Sequence, residues 1–131
     1  MGDFAQNGFV TTLHNFGTKS VEQFEGELKT FSGYRPMELI LPCLYSELEK
    51  PALKHIVEQI SQVDYISHVI IGLDKADKDQ FLHAAHFFSK LNKPFSLLWN
   101  DGPRLRTIHD ELEDMKLAPT ELGKGRNVWY C

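Results

Sequence analysis

Apolar residues along this chain follow two periods, one helical and one strand-like, that take turns. In SVEQFEGELKTF, Val21, Phe24, Leu28 and Phe31 recur at helical spacing, which predicts an amphipathic helix with Ser20 as N-cap and Gly33 as its stop. MELILP is a short apolar run closed by Pro42 and reads as a buried strand. PALKHIVEQISQV follows it, with Pro51 at the first helical position and Leu53, Ile56, Val57 and Ile60 as a buried face. The unit then repeats. HVIIGLD reads as a strand before the helix KDQFLHAAHFFSKL, with Phe81, Ala84, Ala85, Phe88 and Leu91 inward. PFSLLW leads to the helix RLRTIHDELEDMKL, with Leu105, Ile108, Leu112 and Met115 inward. Pro119 to Gly125 reads as a loop before a final helical start, and Met1 to Phe16 hold no sustained period and read as an arm or a short strand.

Strands alternating with helices of about 10 to 15 residues predict right-handed crossovers and a parallel sheet covered on both faces. The expected fold class is α/β, a doubly wound, Rossmann-like parallel sheet. At 131 residues with 42% hydrophobic content the chain suits one core. Residues 1–35 are expected to form the arm and first helix, and residues 36–131 the α/β domain.

Charge changes the picture in one respect. Acidic residues outnumber basic ones by 18 to 14, which gives no electrostatic reason to expect nucleic-acid binding, so any anion site must be local. Cys43 and Cys131 are the only cysteines, which is not the spacing of a disulfide-stapled secreted domain and points to a reducing cytoplasm. MGDFAQNGFVTTLHNF lacks the basic and apolar regions of a secretory leader, and no window approaches the roughly 18 apolar residues of a membrane span.

In an open parallel sheet, ligands sit beyond the carboxyl ends of the strands. Pro42, Cys43, Leu44, Tyr45, Ser46 and Glu47 lie at the first such end, and Asp74, within DKADKD, lies at the second. Asn100, Asp101, Gly102 and Pro103 follow the third strand, and the last loop adds Gly123, Lys124 and Gly125. Together these groups suit a nucleotide. Carboxylates accept from ribose hydroxyls or base N–H groups, while a lysine and glycine-backed amides meet a diphosphate. Some have a plainer use that the sequence leaves open: Asp77 or Asp79 can cap a helix, and NDG can be an ordinary turn.

Other chemistries fit less well. The lone GKG lacks P-loop spacing, and the chain has no GxGxxG. His83 and His86 lie three apart on a helix, but no third ligand stands at recognisable zinc spacing, so structural or surface roles are expected. Ser46 has no G-x-S-x-G elbow around it.

The succession LILPCLYSELE, VIIGLDKADKD, LWNDGPRL and GKGRNVW, spanning residues 36–131, resembles the nucleotide-sugar-binding half of GT-A glycosyltransferases. It resembles in particular those related to glucosyl-3-phosphoglycerate synthase and mannosylglycerate synthase. Pro42 to Glu47 occupy the place of that group's uridine-holding segment. Tyr45 and Ser46 stand where Asn and Glu are usual, leaving Ser46, Glu47 or Glu49 to reach the ribose. DKADKD keeps the frame of an Asp-Asp-Gly-Ser-Thr-Asp segment, with Asp74 placed to meet uracil or ribose, Lys75 in place of the second Asp, and Asp79 as the helix cap.

GKGRNVW is the most specific piece. The resemblance implies that Lys124 contacts the donor nucleotide or its diphosphate, as suits a compact ammonium on a glycine turn. The implied nucleotide-binding set is Pro42, Leu44, Ser46, Glu47, Asp74, Asn100, Asp101, Gly123 and Lys124, with no catalytic residue assigned.

In such enzymes the helix after Gly-Lys-Gly leads to an Asp-x-Asp strand that holds Mg²⁺ or Mn²⁺ on the donor diphosphate, and an acceptor site follows. The resemblance implies that the chain stops before that motif. Weak or absent UDP binding and no glycosyl transfer are therefore expected of these 131 residues. A different class stays open: a stand-alone nucleotide- or partner-binding module without catalysis. In either case exposed apolar surface could support a homodimer.

Overall fold

A computed structural model describes residues 19–131, so the arm expected at Met1 to Phe16 lies outside the described residues. The described elements run in the order α1 (Val21–Tyr34), β1 (Met37–Leu44), a 3-10 turn (Tyr45–Glu47), α2 (Pro51–Gln62), β2 (Ile66–Asp74), α3 (Lys78–Phe88), β3 (Phe95–Trp99), α4 (Pro103–Asp114) and α5 (Lys124–Tyr130). The three strands are parallel and lie in the order β1-β2-β3. This is the α/β fold expected from the alternation of periods.

Alternation along the central strand sorts the two faces of the sheet. Val69, Ile71 and Leu73 are fully buried on one face, where they join Leu53, Val57 and Ile60 of α2 and Ala84 and Phe88 of α3 in the core. Right-handed crossovers between strands that are neighbours in sequence put α2 and α3 on that same face. Gly72 belongs to the opposite face, where α5 packs. The Asn127 amide donates to the Gly72 carbonyl at 2.8 Å, and a Cβ at Gly72 would lie 1.7 Å from Asn127 Oδ1. A glycine is therefore what lets α5 reach the strand. At the amino ends of the strands the same face is polar, with Ser96 Oγ 3.1 Å from His68 Nε2.

Local signals explain the helix starts. Ser20 and Gln23 cap α1 reciprocally, Pro51 and Pro103 open α2 and α4, and Asp77 forms a reciprocal cap with Gln80 at 2.9 Å in each direction. Asp77, not Asp79, is thus the cap of α3; Asp79 sits in its first turn. Gly33 does not stop α1, which runs on to Tyr34, one residue short of Arg35-Pro36.

Three inward assignments are corrected. Ile56 is 42% exposed because it sits at the margin of the α2 face. Ile108 and Met115 are 49% and 65% exposed, since α4 follows an edge strand and buries no residue. Likewise α1 buries no side chain, and its link to the sheet unit includes the Lys29–Asp64 ion pair at 2.9 Å. No helix among the described residues is long and apolar enough to cross a membrane.

Candidate nucleotide site

Strand register sets the candidate site. Leu44 pairs with Asp74 and Cys43 with Leu73, so β1 and β2 end level, and the Asn100 amide donates to the Leu73 carbonyl at 3.0 Å just past β3. Beyond this edge lies a cleft of about 250 Å³ lined by Pro42, Cys43, Leu44, Glu47, Asp74, Lys75, Gly123, Lys124 and Asn127. Segments separated by some thirty to fifty residues in sequence therefore meet at the carboxyl ends of two strands, where open α/β sheets hold ligands.

Six of the nine residues expected from the sequence line this cleft: Pro42, Leu44, Glu47, Asp74, Gly123 and Lys124. The other three do not. Ser46 is exposed on the 3-10 turn, outside the lining. Asp101 is a staple between loops, its Oδ2 accepting from the Ala76 amide at 3.1 Å. Asn100 is buried beneath the edge with both side-chain polar atoms occluded and unpartnered. Of the Asn-Asp-Gly segment, Asp101 braces the β2–α3 loop and Gly102 is the N-cap of α4.

The β2–α3 loop is clamped on both sides of Ala76. Trp99 Nε1 donates to the Ala76 carbonyl at 2.7 Å, opposite the Asp101 contact on its amide, and Phe81 stacks on Trp99 at 5.1 Å. This clamp holds Lys75 at a φ of 56°, a left-handed conformation that costs a non-glycine residue about 1–2 kcal/mol. Strain of this kind persists where the surroundings dictate it, and it is concentrated at functional sites. The result places a lysine on the rim of the cleft.

Gly123 gives the second backbone constraint. Its φ of 144° lies in a region open essentially to glycine, and it turns the chain into α5 with Lys124 at the cleft. On the opposite wall, the Glu47 carboxylate turns back to accept from the Leu44 amide at 3.4 Å. Burial, together with the charge of Glu47, pushes the Cys43 thiol from its ordinary 9.0 up to about 12, so that wall presents a neutral thiol.

Two residues not read from the sequence secure the site: Asn127, which lines the cleft, and Arg126, which holds Asp74. Arg126 Nη2 donates to Asp74 Oδ1 at 2.9 Å, with side-chain exposures of 14% and 5%, and Asn127 anchors α5 beside it. Because Arg126 balances Asp74, Lys75 and Lys124 face only Glu47 as an uncompensated carboxylate. The cleft is therefore locally cationic within a chain of net charge −4. The signal that could have located α5 was Gly72 in the middle of an apolar strand, a mark of close backbone approach.

The Mg²⁺ or Mn²⁺ implied by the resemblance has no ligand set here: no group of three or more His, Cys, Asp or Glu side chains among the described residues could hold a metal.

Fold and site together define a Rossmann-like α/β unit with a cationic cleft at its strand ends. No family model matches the chain, and no solved structure matches it. Among curated proteins it is 40% identical over 129 residues to a glucosyl-3-phosphoglycerate synthase of Persephonella marina, and 36% identical over 133 residues to one of Methanococcoides burtonii. Each match covers 98% of this chain and 32% of the relative, so the chain spans about a third of the length of the proteins it resembles. Their names fall in the group that the motif succession resembles.

Proposed function

We propose that this chain forms the donor-holding part of a glycosyltransferase that attaches a sugar to a glycerate derivative, with a UDP-sugar as donor. The observation that carries this reading is the convergence of Pro42–Glu47, Asp74–Lys75 and Gly123–Lys124 on one cleft at the carboxyl ends of β1 and β2. These are the motifs of the resemblance, and relatives at 36–40% identity bear the matching synthase name.

In this reading Lys75 and Lys124 attract the diphosphate as point charges. Asp74 accepts a hydrogen bond from the base or the ribose, and Pro42 and Leu44 form an apolar wall. At about 250 Å³ the cleft lies below the roughly 300–1,000 Å³ of a pocket that encloses a small ligand, so it takes part of a nucleotide sugar and leaves the rest in solvent. Weak binding follows, with a Kd on the order of millimolar.

An NMR titration of the 131-residue chain with UDP tests this. Saturable shifts are expected at Leu44, Asp74, Lys75 and Lys124. Lys124→Ala is expected to weaken binding about tenfold, the magnitude of one lost charge-assisted contact. Added Mn²⁺ is expected to leave the affinity unchanged, because the described residues offer no ligand set. A folded chain that gives no saturable shift would overturn the assignment.

A further inference from the structure

We infer that Arg126 is a positioning residue that fixes which edge of a nucleobase the cleft accepts. The inference rests on the nucleotide reading above and adds a residue and a selectivity to it. Asp74 lies on the cleft lining yet is almost wholly buried, and its Oδ1 is taken by Arg126 Nη2 at 2.9 Å. Its Oδ2 bonds to no described residue and is not among the fully occluded unpartnered atoms, so it is the oxygen open to the cleft.

A guanidinium only donates, and a carboxylate only accepts. With Oδ1 held, Asp74 shows the ligand a single fixed acceptor, which suits a partner with a donor at that point. The imide N3–H of uracil is such a donor, whereas N3 of cytosine is an acceptor and would face Oδ2 lone pair to lone pair.

Stability alone is a poor explanation of the pair. Buried ion pairs are often no better for stability than apolar residues of the same volume, and this one leaves Arg126 Nε occluded without a partner. The pair sits between the β2 end and α5, two segments that also carry cleft lysines, so holding Asp74 fixes the acceptor relative to Lys75 and Lys124.

The carboxylate is symmetric, so removing Arg126 alone still leaves an acceptor in the cleft. The amide of Asp74→Asn breaks that symmetry. Arg126 can bond only its oxygen, which forces the NH₂ group into the cleft and presents a donor in place of the acceptor. If Arg126 sets the orientation, Asp74→Asn must invert base preference, and adding Arg126→Met must free the amide to turn and abolish the preference. A merely structural pair would weaken both nucleotides together and leave the sign unchanged.

The experiment is an NMR titration of four chains with UDP and with CDP: the natural sequence, Asp74→Asn, Arg126→Met and the double variant. Circular dichroism and thermal melts verify the fold of each. The natural chain is expected to favour UDP by about tenfold or more, because a mismatched buried polar group is left unpaired. Arg126→Met is expected to keep that direction, Asp74→Asn to favour CDP, and the double variant to bind both within about threefold.

UDP binding in which Asp74→Asn fails to invert, or matches the double variant, would overturn this inference alone; a folded natural chain that binds neither nucleotide would remove the nucleotide reading and this with it. Should Asp74→Asn not fold, the side-chain NH signal of Arg126 in the natural chain decides. It is expected to remain hydrogen-bonded at UDP saturation, and its release by UDP would overturn the inference.

Discussion

Lys75 is the residue at which conformation and chemistry conflict. Its φ of 56° suits glycine, yet a lysine stands there, on the cleft, with Ala76 fixed on both sides by Asp101 and Trp99. Glycine would relieve the strain but widen the conformational freedom of the unfolded chain, so the two effects partly offset. Lys75→Gly is therefore expected to change stability by no more than about 1 kcal/mol, in the stabilising direction, while weakening UDP several-fold through the lost ammonium. Urea unfolding and the nucleotide titration measure the two separately. A variant that loses stability and keeps its affinity would assign Lys75 to the fold and not to the site. The positive φ could not be read beforehand. DKADKD showed charges in a loop, but which residue turns left-handed depends on a clamp whose parts, Trp99 and Asp101, lie about 25 residues further on.

At the level of elements, the seam between α5 and β2 ties the cleft together. α5 has only seven residues, about two turns, too short for stability of its own in water, so its place depends on Asn127 and Arg126. Any side chain at Gly72 meets Asn127, and the obstacle is the very group that bonds the Gly72 carbonyl. Gly72→Ala is thus expected to lift α5, cost about 1–3 kcal/mol by overpacking, and weaken nucleotide binding together with stability. A denaturation midpoint equal to that of the natural chain would contradict this account of the seam. The sequence was legible where period alone decides: the three strands, the cores of α2 and α3, and the strand-end cleft all followed from alternation and the carboxyl-edge rule. It was not legible where pairing spans distance. Arg126 and Asp74 stand 52 residues apart, and a two-turn helix carries too few residues to display a period. Ile108 and Met115 failed for the opposite reason: they follow a helical period, but period marks a stripe without saying what covers it.

For the molecule as a whole, the same point turns into a statement about association. α1 carries Val21 and Phe31 on the stripe read from the sequence, yet they are 69% and 62% exposed, and the helix buries no residue. Exposed apolar stripes of this kind favour contact with another surface. A twofold dimer would use each residue twice, so one substitution removes two contacts. Pairing through α1 would make the sedimentation coefficient rise with concentration across the micromolar range. Phe31→Glu is expected to abolish that rise, since burying a Phe is worth about 1.5–3 kcal/mol and two charges would meet across the axis. Because the stripe lies on α1 and the cleft on the strand ends, the same variant should keep the stability and UDP affinity of the natural chain. Sedimentation velocity on both proteins separates the possibilities: association that persists in Phe31→Glu but disappears in Ile108→Glu would move the interface to α4. Concentration-independent sedimentation of the natural chain would rule out pairing through the stripe.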